Sequence, residues 1–164
     1  MERQWYVVYT APRSEKKASE RLEKNGIESF LPLKQTLRQW SDRKKKVKVP
    51  LFTSYLFVRV NLVHEKYKVL ETFGVVQYVY HEGQPAVVRD QDIEDIKMLL
   101  ENYTELEAVT LEPGQRVEIK SGTLGGKSGI IRDTKNGVLT LELENIGYQL
   151  IAKIPLKQVK KPRR

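Results

Sequence analysis

The texture of the chain changes at Pro113-Gly114, and that break limits the available folds more than any other feature. Before it, apolar residues recur at both helical and strand spacings. After it, short alternating runs are separated by Gly122, Gly125-Gly126, Asn136-Gly137 and Gly147, with no helical period. Asn-Gly between two alternating runs is the strongest short-range hairpin signal. The runs 115–120, 128–133, 138–144, 148–154 and 157–161 are strand candidates. Five strands this short suit a small closed β-barrel over 112–164, ending in the basic tail Lys160-Lys161-Pro162-Arg163-Arg164. Residues 104–111 lose periodicity and read as a linker.

The front, 1–103, alternates strands with helices. Trp5-Tyr6-Val7-Val8-Tyr9-Thr10 is aromatic and β-branched, and Ala11-Pro12 ends it. Ser14 is a candidate N-cap for a helix that closes at Asn25-Gly26. Ala18 and Leu22 share its apolar face, while Arg13, Lys16, Lys17 and Lys24 gather opposite. Ile27, Phe30, Leu31 and Leu33 open a second extended segment, and 38–46 reads as a basic turn. Tyr55–Val60 is a strand. Asn61 caps a second helix with Val63, Tyr67 and Leu70 at i, i+4, i+7 and Gly74 at its end. A strand over 75–80 and a turn over 81–85 lead to a third helix at 90–103, with Ile93, Ile96, Leu99 and Leu100 toward the core. The order β-α-β-β-α-β-α predicts an α+β protein whose front is a ferredoxin-like α/β sandwich.

The charge is uneven. The 164 residues carry 29 Lys+Arg and 21 Asp+Glu, a net of +8. Residues 1–50 hold 13 basic and 6 acidic side chains, 51–110 hold 5 and 10, and 111–164 hold 11 and 5. Two basic ends around an acidic middle favour a directed nucleic-acid surface, against the plainer reading of a solvated lysine coat. There is no Cys and only two His, which removes disulfides, thiol catalysis, and Cys- or His-rich metal sites. No apolar run approaches the roughly 18 residues of a membrane span, and the N-terminus reads as a strand rather than a signal peptide. A soluble cytoplasmic protein is expected. No P-loop, GxSxG or HExxH is present, and His64 and His81 flank turns. Asp90, Asp92, Glu94 and Asp95 open a helix, where acidic groups complement the macrodipole. No enzyme activity, cofactor or metal is expected.

Five segments in order resemble the NusG-like transcription elongation factors, an NGN domain followed by a KOW domain. They are Trp5-Tyr6-Val7-Val8, the strand after Pro50-Leu51-Phe52-Thr53-Ser54, Pro85 with the helix from Asp90, 112–119, and 125–131. The resemblance implies that the rear barrel is a KOW domain of Src-homology-3-like type. Thr53-Ser54-Tyr55 stands where housekeeping members usually carry Pro-Gly-Tyr, and Arg38-Gln39-Trp40-Ser41-Asp42-Arg43-Lys44 is similar to antiterminators of the UpxY kind. Within the family the chain is therefore most similar to the specialised RfaH and UpxY types. One departure is Glu65-Lys66-Tyr67, in place of the His-Thr-Thr patch with which RfaH touches the polymerase β subunit.

The resemblance implies docking of the front domain on the β′ clamp helices of RNA polymerase, through Trp5, Tyr6, Phe52, Tyr55 and Phe57. Aromatic side chains suit such a surface because they bury much area at low entropic cost. Ordinary core packing is the competing reading for Trp5, Tyr6 and Phe57. A contact to the β subunit is open. Arg13, Lys16, Lys17 and Lys24, with Arg38, Arg43, Lys44, Lys45 and Lys46, are candidates for DNA near the transcription bubble. Trp40 stacks on a base or packs across its own hairpin. Ile146-Gly147-Tyr148 matches the loop tip offered by family members to a small-subunit ribosomal protein or to Rho, and an Ile beside a loop Gly is poor core material. A monomer that suppresses pausing or termination is expected. The alternative is a KOW-containing RNA-binding or ribosome-associated protein, whose association with polymerase would depend on RNA.

Overall fold

The computed structural model describes residues 2–102, 106–110, 131–134, 138–143 and 146–153. Its centre is strand β1 (Gln4–Thr10). All seven residues lie in an antiparallel sheet ordered β2-β5-β1-β6, where β2 is Glu28–Phe30, β5 is Tyr55–Val60 and β6 is Val75–Tyr78. A short strand, β9 (Val87–Val88), pairs with β1 below β6 at Trp5 and Tyr6. Alternation along β1 and β5 sorts the two faces. Val8, Leu56, Val58 and Val60 meet α1 (Glu15–Lys24) and α2 (Leu62–Leu70) through Ala18, Leu22 and Val69. Trp5, Val7, Tyr55 and Phe57 point the other way, toward α3 (Asp90–Asn102) with Ile93, Ile96 and Leu99.

The helix ends obey their capping chemistry. Gly26 takes φ +76, the Ile27 amide donates to the Leu22 carbonyl and the Gly26 amide to that of Glu23. This is the Schellman arrangement, which only a residue tolerant of positive φ closes cheaply. Asn61 caps α2 as expected, its Oδ1 accepting from the Val63 amide at 3.0 Å, while Glu65 accepts from the Asn61 amide. Ser14 differs, since its side chain makes no cap hydrogen bond. Gly74 allows α1 to lie close, because a Cβ there would stand 3.3 Å from that of Ala18.

Three expectations are corrected. The apolar stripe of α2 is not Val63 and Tyr67, which are 65% and 71% exposed; Val69 is buried, with Leu62 and Leu70 packed beside it. Both stripes satisfy helical spacing, and contact with the sheet selects the second. The basic turn narrows to 40–43, where the Trp40 amide bonds the Arg43 carbonyl. Its flanks are the arms of a separate ribbon, β3 (Leu33–Gln39) and β4 (Lys44–Pro50), paired from Leu33↔Pro50 to Gln39↔Lys44. A second small hairpin joins β7 (Tyr80–His81) to β8 (Gln84–Pro85). Finally, the expected linker contains strand β10 (Leu106–Thr110), paired with the rear sheet.

That rear sheet is antiparallel and ordered β10-β13-β12-β11, with β11 at Ile131–Thr134, β12 at Val138–Leu143 and β13 at Tyr148–Lys153. β11 pairs antiparallel with β12 from Ile131↔Leu141 to Thr134↔Val138, the two strands the sequence predicts on either side of Asn136-Gly137, which itself lies outside the described residues. The strand candidates at 115–120 and 157–161, and most of the KOW-like segment, lie outside the described residues.

Candidate functional site

The aromatic set predicted from sequence divides across the sheet. Trp5, Phe52, Tyr55 and Phe57 join one apolar cluster with Phe30 and Tyr9 packed against it. Tyr6 lies on the opposite face, edge-on to Tyr78 at 6.2 Å, and burial raises both phenols above their ordinary pKa. Period-two alternation separates neighbours on a strand, so Trp5 and Tyr6 cannot line one pocket. Around the first cluster the rings meet in a chain of edge contacts: Phe30 with Trp5, Phe52 with Phe57, and Tyr9 with Tyr55 at 5.0 Å.

A short turn holds this face in place. Ser54 adopts φ +61, its carbonyl accepts from the Thr10 amide, and its amide donates to buried Glu15 Oε1 at 2.9 Å. Glu15 thus ties the first turn of α1 to the residues that aim Phe52 and Tyr55. The sequence reading missed it, since an acidic residue in a helix first turn ordinarily faces water.

The rear sheet covers the outer part of the aromatic face. Tyr148 stands edge-on to Phe52 at 5.2 Å and to Tyr55 at 5.0 Å. Leu106, Leu143, Ile146 and Leu150 are buried in the same cluster. Burial is the main cause that lifts the pKa of Tyr55 and Tyr148, with the Tyr9 phenol adding to both. Ile146 was expected at an open loop tip; it is 4% exposed, with Gly147 and Tyr148 half-buried beside it. The residue is poor material for the core of its own sheet, and it finds a core in the front domain instead.

The basic residues occupy two places. Arg13, Lys16 and Arg38 line an open groove of about 1190 Å³ between α1 and the β3–β4 ribbon, together with Lys34 and Lys48, which the sequence reading passed over. Lys16 Nζ donates to the Lys48 carbonyl at 2.8 Å and so bridges the groove. Arg43, Lys44, Lys45 and Lys46 sit at the far end of the ribbon with Trp40, which is 54% exposed. Lys17 and Lys24 are exposed along α1, outside the groove lining. Among the described residues no group of three or more His, Cys, Asp or Glu is arranged to hold a metal ion, and no helix is long and apolar enough to cross a membrane.

A mixed sheet-and-helix domain bearing an aromatic face and a basic flank has the makings of a binding protein with an apolar and an anionic partner. Residues 3–97 match the family described as "Transcription termination factor nusG", and the chain belongs to that family. It is 27% identical to the transcription termination/antitermination protein NusG of Staphylococcus aureus strains Mu50 and N315, over 97% of this chain and 96% of theirs. Among solved structures it is similar to one titled "Domain interaction in Thermotoga maritima NusG", at 26% identity and TM-score 0.46, covering 94% of this chain and 95% of that one. The chain is therefore a NusG-like transcription termination/antitermination factor.

Proposed function

We infer that the chain is an elongation and antitermination factor that docks on RNA polymerase through the aromatic face of its front domain. Phe52 and Tyr55 form the contact, and Trp5 and Phe57 support them from the core. The observation that carries this reading is a family match over the front domain whose aromatic cluster is only partly covered by its own helix α3 and is completed by the rear sheet. Aromatic rings at the rim of a core are the usual anchors of a binding surface. Because the rear sheet lies on Phe52 and Tyr55, docking requires its release. The same release frees Ile146-Gly147-Tyr148 for a second partner, a small-subunit ribosomal protein or Rho.

The basic groove and ribbon then hold DNA beside the docked domain, and pausing falls because the polymerase clamp is tethered shut, without chemistry. Two measurements test the reading. Tyr55→Ala is expected to lower retention of nuclease-treated elongating polymerase while thermal unfolding stays cooperative; unchanged retention removes Tyr55 from the contact. Charge reversal at Lys44, Lys45 and Lys46 is expected to restore pausing and reduce DNA crosslinking. Association that disappears with nuclease would favour an RNA-binding protein instead.

A further inference from the structure

The β3–β4 ribbon is built in a way that tethering alone does not require. Residues 33–50 carry seven basic side chains and one acidic, and no salt bridge among the described residues involves any of them. The ribbon pairs only with itself. At about 3.3 Å per residue its seven-residue arms extend about 23 Å. The register assigns each side chain to a face. Gln35 opposes Lys48, Leu37 opposes Lys46, and Gln39 opposes Lys44, so these six share one side, Lys48 meeting Lys16 at the groove through its backbone carbonyl. All six are exposed. On the other side Lys34, Thr36, Val47 and Val49 are half-buried and face the groove toward α1.

The open face therefore presents two glutamines along its first strand, three lysines along its second, and Leu37 at 62% exposure between them. We propose that this face lies in the major groove of duplex DNA, with the lysines on phosphates and Gln35 and Gln39 on base edges. The major groove of B-form DNA, about 12 Å wide, admits a two-stranded ribbon, and glutamine pairs bidentately with adenine N6 and N7. An exposed apolar side chain between them suits a thymine methyl group. Duplex RNA is a poor match, because its major groove is too deep and narrow for side chains to read. Single strands would be held by stacking, and this face has no ring. The inference rests on the DNA-contacting reading above and names the form of DNA.

The test uses the full chain and fluorescence anisotropy with a duplex DNA, the duplex RNA of the same sequence, the single strand, and a DNA duplex in which purines carry carbon at position 7. Duplex DNA is expected to bind tightest, and the 7-deaza duplex several-fold more weakly. Replacing Lys44, Lys46 and Lys48 by Gln should weaken duplex DNA binding about tenfold at low salt and make the log–log salt slope shallower by about 2 to 3. Gln35→Ala with Gln39→Ala should leave the slope alone and abolish the preference for normal over 7-deaza purines. Equal binding of duplex RNA, indifference to 7-deaza substitution, or parental affinity in the lysine variant would overturn the proposal, leaving the lysines as guards of an open strand edge. Retention of nuclease-treated polymerase by the parent separates the two readings: if it persists while these results fail, only the ribbon assignment is lost.

Discussion

At the scale of single residues, Ser54 carries the most specific information. Its φ of +61 lies in the left-handed region, which a side chain with a Cβ enters at a cost of about 1 kcal/mol or more. The resemblance places a glycine at this position in housekeeping members, and the conformation explains why. Ser54→Gly is expected to raise stability by about 0.5 to 1 kcal/mol, the strain relieved less the entropy a glycine loses on folding, read by denaturant unfolding. Glu15→Ala should act oppositely, because it strands the Ser54 amide in a part-buried turn at a cost of about 1 to 3 kcal/mol. Asp95 adds a pH dependence. Burial is the main cause that raises its pKa, and Asp92 adds to it, against the hydrogen bond from Gln91 and the charge of Arg89. A carboxyl whose folded pKa is raised binds its proton more readily in the folded state. Its unfavourable contribution is therefore full above the folded pKa and relieved as pH falls through that value. Asp95→Asn should stabilise the chain at neutral pH, and the gain should shrink on acidification; a gain independent of pH would contradict this.

At the scale of elements, Gly74 joins α2 to the sheet under α1. Gly74→Ala is expected to destabilise by about 1 to 3 kcal/mol, since φ +100 is strained for alanine and the new methyl meets Ala18. Much at this scale is legible in the sequence. The caps at Asn25-Gly26 and Asn61, the apolar stripes of α1 and α3, and the antiparallel pairing of β11 with β12 follow from local chemistry, which acts over a few residues. The misread features depend on distant partners. Val63 and Leu62 both begin acceptable stripes, and only the sheet chooses between them. Leu106–Thr110 has no strong period, yet it pairs with β13, 38 to 46 positions away in sequence. In β5 four consecutive residues are buried, so alternation cannot tell which of them face the helices and which face the aromatic cluster.

At the scale of the whole molecule, the front and rear parts share one apolar cluster. The candidate polymerase contact was readable as a set of aromatic positions, but its cover was not, because nothing local to Ile146-Gly147-Tyr148 specifies a partner fifty or more residues upstream. The charge pattern gains meaning here too. The excess of the first fifty residues is concentrated on the ribbon, whose base flanks the turn that presents Phe52 and Tyr55. The surfaces proposed for docking and for DNA are therefore neighbours on one domain, with the rear sheet covering the first and leaving the second open.

That arrangement is tested most directly by retention of nuclease-treated elongating polymerase on the parent chain, on Tyr148→Ala, and on Tyr148→Ala combined with Tyr55→Ala. Loss of the Tyr148 ring removes its edge contacts to Phe52 and Tyr55 and loosens the cover. The account predicts that Tyr148→Ala retains more polymerase than the parent, and that adding Tyr55→Ala takes the gain away. Retention unchanged or reduced by Tyr148→Ala, or a gain that survives loss of Tyr55, would contradict it.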